Sequence, residues 1–191
     1  FWNAALAFEA AKILRQKGLK IPKSAVEKGI AEAEWPARFQ VLRGKPLVVL
    51  DSAHNPAAAK VLKKTMLAEF PRRKILLVFG TASNKDISGI AREIVPLARE
   101  VFLASAEWRG ANTKILAHET EKYCEKIREF GSVKAAVEEA LKRQEEIVLV
   151  AGSIFFVSEA IPVIGAFFQK KVLNEFSNVG ERKLPCLQER F

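Results

Sequence analysis

The sequence predicts an α/β protein built on a mostly parallel, doubly wound sheet that begins with an antiparallel hairpin. Three observations predict it. Short apolar runs at 46–51, 74–79, 100–104 and 147–150 alternate with stretches whose apolar residues recur at helical spacing. The first run follows residues 38–43 across Arg43-Gly44-Lys45-Pro46, a link short enough to demand antiparallel pairing. Each later run is separated from the last by helical sequence, the pattern of parallel strands joined by crossover helices.

Taken in order, residues 3–17 place Leu6, Phe8, Ile13 and Leu14 at helical spacing, and Gly18 is a plausible stop. A second short helix is expected from 23 to about 33. Trp35-Pro36 ends it, because the residue before a proline is pushed out of the α region. The domain boundary is placed there. Residues 1–34 read as the end of a preceding domain, 35–169 as the domain proper, and 170–191 as a tail or a lone terminal helix. Strands over 38–43 and 46–51 lead to a helix over 56–69, a strand over 74–79, a helix over 87–99 and a strand over 100–104. Helices near 113–129 and over 132–145 precede a strand over 147–150 and a helix over 154–168. Pro96 and Pro162 fall inside helical stretches, where kinks or early ends are expected.

A chain of 191 residues, 49% hydrophobic and 28% charged, can bury a core and is unlike a disordered segment. No apolar run approaches the roughly 20 residues that span a bilayer. The most apolar stretch, 147–168, is broken by Gly152, Ser153, Ser158, Glu159 and Pro162. No basic-then-apolar leader opens the chain. Its two cysteines, Cys124 in a charged helical stretch and Cys186 near a polar tail, lack metal-ligand spacing, so a reduced, cytoplasmic setting is expected. The net charge of +9 is spread out. Six Lys/Arg face three acids through residue 33, and five face three from residue 170 onward. Without a basic arm or stripe, nucleic acid is disfavoured as a partner; a generally basic surface suits small polyanions as well. The chain begins with Phe1 and holds one methionine, Met66, so it reads as part of a longer product. A P-loop is missing from it: Gly44-Lys45 is followed by Pro46, and no Gly-x-Gly-x-x-Gly string occurs.

Three strand-to-helix junctions should share the carboxyl edge of the sheet: residues 51–55 (Asp-Ser-Ala-His-Asn), 80–86 (Gly-Thr-Ala-Ser-Asn-Lys-Asp) and 151–153 (Ala-Gly-Ser). Ligands of open α/β sheets collect at that edge, and helix N-termini there favour anions. An acid and an imidazole beside a helix start suit a nucleotide. Arg38, at the start of the adjoining strand, offers a fixed fork of donors that suits phosphate; an ordinary surface arginine is the alternative.

These residues carry a resemblance. Trp35-Pro36-Ala37-Arg38-Phe39-Gln40, a short hairpin, then Asp51-Ser52-Ala53-His54-Asn55-Pro56 resembles the Mur ligase superfamily. More narrowly it is similar to the C-terminal domain of the folylpolyglutamate synthase/dihydrofolate synthase branch. Val78-Phe79-Gly80 with Lys85-Asp86 is similar to the family's Gly-x-x-x-Asp-Lys-Asp turn, and Val150-Ala151-Gly152-Ser153 to its Val-Thr-Gly-Ser. Phe1-Trp2-Asn3-Ala4-Ala5 looks like the Asn-Ala-Ala that opens a late helix of the family's central domain, so the match runs over 1–169.

The resemblance implies a Rossmann-like sheet with helices on both faces. It implies an ATP-dependent ligase that adds L-glutamate to folate or dihydropteroate through an acyl phosphate. Asn3 would touch adenine, Arg38 phosphate and Asp51 the ribose, while His54 and Ser153 would meet the glutamate. Arg38 and His54 would be the catalytic residues, the first neutralising phosphoryl charge and the second positioning. Local alternatives stay open: a helix cap for Asn3, Asp51 or Ser153, and a hydrogen-bonded structural ring for His54. Lys85 and Asp86 are expected to hold their loop and cap a helix, and His118 to lie on the surface. Ala37 stands where the family has glycine, which argues against a positive φ there. Mg²⁺ and the phosphate-cradling loop would belong to a central ATPase domain of the same polypeptide, leaving this chain inactive alone. A monomer with no nucleic-acid or membrane partner is expected. Two other readings remain: an amide ligase acting on a peptidoglycan precursor, and a non-catalytic Rossmann-like binding module.

Overall fold

Successive strand residues face opposite sides of a sheet, and in this chain both sides are apolar. The computed structural model describes residues 2–33, 35–143 and 145–177. Strands β1 (Gln40–Leu42), β2 (Leu47–Asp51), β3 (Ile75–Phe79), β4 (Glu100–Leu103), β5 (Ile127–Glu129) and β6 (Ile147–Ala151) form one sheet in the order β1-β2-β6-β3-β4-β5. The β1–β2 pair is antiparallel and every other pair is parallel. Residues of β3 and β6 are buried throughout, as expected of strands covered on both faces.

Helices cover the two faces. Val49, Leu77, Phe79, Leu103 and Leu149 pack beneath α3 (Pro56–Glu69), α4 (Ile87–Ile94) and α5 (Thr113–Thr120). Val48, Leu50, Val78, Phe102 and Val150 pack beneath α6 (Val133–Lys142) and α7 (Ile154–Ser177). The expected Rossmann-like architecture, with its antiparallel start and two-sided helical cover, is the one observed. Helix starts follow local chemistry. Asn55, Asp86, Asn112 and Ser132 each accept a backbone N–H from the first turn of the helix that follows, satisfying donors that helix geometry leaves unpaired.

The structure corrects several boundaries. The helix expected near 113–129 ends at Thr120, and Ile127–Glu129 is the edge strand β5 beside β4. Ile127 is its one apolar residue, so periodicity offered almost no strand signal. Cys124 accordingly lies outside any helix; it is buried, and its thiol points to the Lys126 carbonyl at 3.6 Å. The helix over 87–99 stops at Ile94 and gives way to a 3-10 turn, Val95–Leu97, around Pro96. The last helix does the opposite. It runs through Pro162 to Ser177 instead of ending at 168, taking in the start of the expected tail. Burial of Phe156, Val157, Ala160 and Ile164 against the sheet outweighs a proline penalty of about 3 kcal/mol. The rest of that tail, with Cys186, lies outside the described residues, as does Phe1.

Contacts divide the chain into two units, Phe1–Pro36 and Ala37–Phe191. The first holds α1 (Trp2–Gln16) and α2 (Lys23–Ala31), joined through Gly18 at φ +95°. Leu6, Phe8, Ile13 and Leu14 of α1 are exposed. The second unit contains the whole sheet.

Candidate functional site

The parallel register aligns Asp51, Ala151, Phe79 and Leu103 across four neighbouring strands. The junctions after β2, β6 and β3 therefore do share one edge, and a fourth, after β4, joins them.

At the β2 end, Asp51 organises its surroundings. Its Oδ1 accepts the Ala53 N–H at 2.8 Å and its Oδ2 accepts the Phe39 N–H at 2.9 Å. Ser52 N–H donates to the Ala37 carbonyl at 2.8 Å, and Ala37 N–H to the Gln40 side chain at 3.0 Å. The Ala37–Phe39 turn is thereby strapped to the end of β2. Ala37 and Phe39 both take left-handed backbone, at φ 58° and 47°. The alanine thus keeps the conformation that glycine would favour, contrary to the expectation, because the straps over-determine it. Arg38, between them, is exposed, and its charge acts on Asp51. Burial lifts the Asp51 carboxyl above its ordinary 3.8; the two N–H donors and Arg38 pull the other way and lose. Asp51 is not the cap of α3. Asn55 is, accepting the Ala58 N–H at 2.8 Å.

His54 is exposed, with Nδ1 3.0 Å from the Ser52 carbonyl. A carbonyl only accepts, so Nδ1 carries the proton of this contact. The β6 end is tighter. Gly152 has φ +127°, and a Cβ there would collide with the Gly80 carbonyl. Ser153, 4% exposed, accepts the Phe156 N–H at 3.1 Å and caps α7. At the β3 end Asp86 caps α4 through the Gly89 N–H, as expected, while the buried Thr81 hydroxyl has no hydrogen-bond partner. His118 is an exposed residue of α5.

The fourth junction escaped the sequence reading. Arg109 carbonyl accepts from Ser83 N–H at 2.9 Å, Ala111 N–H donates to the Thr81 carbonyl at 2.8 Å, and Ala82 bridges Gly110. The only signal was Trp108-Arg109-Gly110 following a strand. Asn3 lies in the other unit, exposed in the first turn of α1; since α1 already includes Trp2, Asn3 is not its cap. Among the described residues no three His, Cys, Asp or Glu side chains gather as a metal site. No helix of the described residues is long and apolar enough to cross a membrane.

The family described as "Mur ligase, glutamate ligase domain" matches residues 37–154, the stretch that holds this edge. The chain belongs to the Mur ligase family. This Mur ligase domain is 35% identical over 167 residues to the dihydrofolate synthase/folylpolyglutamate synthase of Escherichia coli strain K12, covering 86% of this chain and 38% of that protein. It superimposes on E. coli FolC in complex with DHPP and ADP with a TM-score of 0.72 and 33% identity, covering 84% of this chain and 38% of that one. The Yersinia pestis bifunctional enzyme complexed with AMPPNP and Mn ion gives a TM-score of 0.68 at 31% identity, covering 82% and 38%. The Mur ligase chain thus spans under two fifths of the length of these relatives.

Proposed function

We propose that the chain is the C-terminal part of an ATP-dependent ligase that adds L-glutamate to folate or dihydropteroate. The observation that carries this reading is the strap from Ala37–Phe39 to Asp51, which holds a guanidinium beside a carboxylate at the strand edge where nucleotides collect. The similarity to ligases solved with ADP and AMPPNP supports it.

In this reading each Asp51 oxygen, already accepting one N–H, offers its remaining lone pair to a ribose hydroxyl. Arg38 faces the phosphates. Phosphoryl transfer from ATP to the acceptor's carboxylate yields ADP and an acyl phosphate, and Arg38 offsets the charge that spreads over the moving group. The glutamate amine then attacks the acyl carbon; the tetrahedral intermediate collapses to the amide, phosphate departs with the bonding pair, and the ammonium proton goes to solvent. His54, its ring held by the Ser52 carbonyl, positions the amino acid, and the start of α7 at Ser153 meets a carboxylate. Asn3 contacts adenine. We assign Mg²⁺, whose chemistry is to neutralise phosphate charge, and the phosphate-cradling loop to a central ATPase domain of the same polypeptide. No metal ligand is assigned to this chain, which is read as part of a monomeric, cytoplasmic enzyme inactive without that domain.

Titration of the chain with ADP, followed by backbone amide NMR, tests the reading. Phe39 and Ala53 amides should shift together, and Asp51→Ala should abolish the response. Amides at this edge that ignore ADP would sink it.

A further inference from the structure

Three hydrogen bonds hold the turn that carries Arg38, and they differ in what they need from the sequence. Ser52 N–H to the Ala37 carbonyl, at 2.8 Å, joins backbone to backbone and asks for no particular residue type. Phe39 N–H goes to Oδ2 of Asp51 at 2.9 Å, a carboxylate that already holds the Ala53 N–H on its other oxygen. The third bond runs from Ala37 N–H to Oε1 of Gln40 at 3.0 Å. Gln40 opens β1, its Cα opposite Leu50, the residue before Asp51. Ala37 is 4% exposed, so without that oxygen its N–H would be left where little water can replace the partner. The bond also spans Arg38. It ties residue 37 to residue 40 around the Cα of Arg38, with left-handed backbone on either side, at φ 58° and 47°. Such backbone is costly for alanine and phenylalanine, and it persists only where the surroundings over-determine it.

What Gln40 is matters as much as where it stands. A glutamate of the same length could offer Ala37 the same oxygen. It would also set a second negative charge beside Arg38, on which Asp51 already acts. Arg38 makes no salt bridge among the described residues. Arg73, Arg99 and Arg143, by contrast, pair with Glu146, Glu145 and Glu100. An amide fixes the turn without adding a charge that competes with an anionic ligand for the guanidinium. We propose that Gln40 is the positioning residue of Arg38: its amide oxygen locks the left-handed turn, and its neutrality keeps the guanidinium open to phosphate. This rests on the ligase reading above, which supplies the phosphate.

Titration of the 191-residue chain with ADP tests it, read at backbone amides and at the Cα signals of Ala37 and Phe39. Gln40→Ala should move both Cα signals off left-handed values and weaken ADP about tenfold, the loss expected when a charge-assisted contact is misplaced. Arg38→Ala should weaken ADP by a similar factor. Adding Gln40→Ala to it should cost ADP nothing more, because the amide acts through the guanidinium. A residue that only stabilised the fold would lower the unfolding midpoint and leave the affinity of the folded chain alone. Gln40→Glu should keep the Cα signals, since its oxygen still accepts, and weaken ADP all the same. Three results overturn the inference while the parent's ADP shifts keep the ligase reading intact: Cα signals indifferent to Gln40→Ala, losses that add in the double variant, or a Gln40→Glu chain that binds ADP like the parent. A parent chain that ignores ADP strikes the ligase reading and takes the inference with it.

Discussion

Phe39 donates its backbone N–H to Oδ2 of Asp51 at 2.9 Å, across twelve residues of sequence. One carboxylate therefore fastens the approach to the hairpin, and in the proposed reading its remaining lone pairs are those that meet the ribose. Asp51→Ala should leave two part-buried N–H groups unpaired and destabilise the second unit by about 2 kcal/mol or more. Denaturant unfolding of the two chains measures this; equal midpoints would mean water replaces the carboxylate without cost.

The same residue carries a pH dependence of defined sign. Burial raises the folded-state Asp51 carboxyl above 3.8, so the folded chain holds that proton more tightly than the unfolded chain. The site's contribution to stability is then complete below about 3.8 and is lost as pH rises through the higher folded value. A carbon-13 titration of the Asp51 carboxyl should show a midpoint above 3.8. A midpoint at or below it would show that the N–H donors and Arg38 outweigh burial.

Gly152→Ala combines a left-handed backbone with a collision against the Gly80 carbonyl. It should cost about 3 kcal/mol or prevent folding. Gly131→Ala, where a methyl meets nothing within 4 Å, should stay within about 0.5 kcal/mol of the parent. Thermal unfolding of the pair distinguishes a crowded glycine from an incidental one.

Thr81 buries a hydroxyl that has no partner. Thr81→Val keeps the shape and removes the unpaired group, so a gain of about 1 kcal/mol is expected. A loss in unfolding free energy would reveal a hydrogen bond the hydroxyl makes to solvent.

Ala37→Gly relieves a left-handed alanine but removes a buried methyl and loosens the unfolded chain, effects of about 1 kcal/mol each that oppose one another. The expected net change is within about 0.5 kcal/mol. Ala59→Gly, buried near the start of α3, has no relief to set against its losses and should cost about 1.5 kcal/mol. Unfolding free energies measured side by side check the contrast.

Legibility in the sequence tracked the density of the signal. The helix expected over 56–69 is the helix found, because Asn55 caps it, Pro56 suits its first turn and Phe70 ends it. The all-apolar strands β3 and β6 were equally plain. Ile127-Arg128-Glu129 was not, since an edge strand with one apolar residue looks like the helix-prone sequence around it. At the site, Arg38 and Asp51 fall at the same strand edge because their motifs sit at strand ends. The fourth junction stayed hidden because Arg109 is held there by backbone bonds from residues 81–83, and backbone bonds leave no mark on residue type.

The placement of β6 in the middle of the sheet bears on how the chain acquires its fold. Its partners on both sides, β2 and β3, come much earlier in sequence: Leu47 and Ile75 both pair with Ile147. During synthesis the β1–β2 hairpin and the β3–β4 pair exist before the strand that must join them, each with an open apolar edge. Contacts this distant in sequence slow folding and prolong exposure of those edges. Of the six strands described, the one that unites the sheet leaves the ribosome after the other five, and with it come Gly152 and Ser153, so the carboxyl edge of the sheet is completed together with its centre.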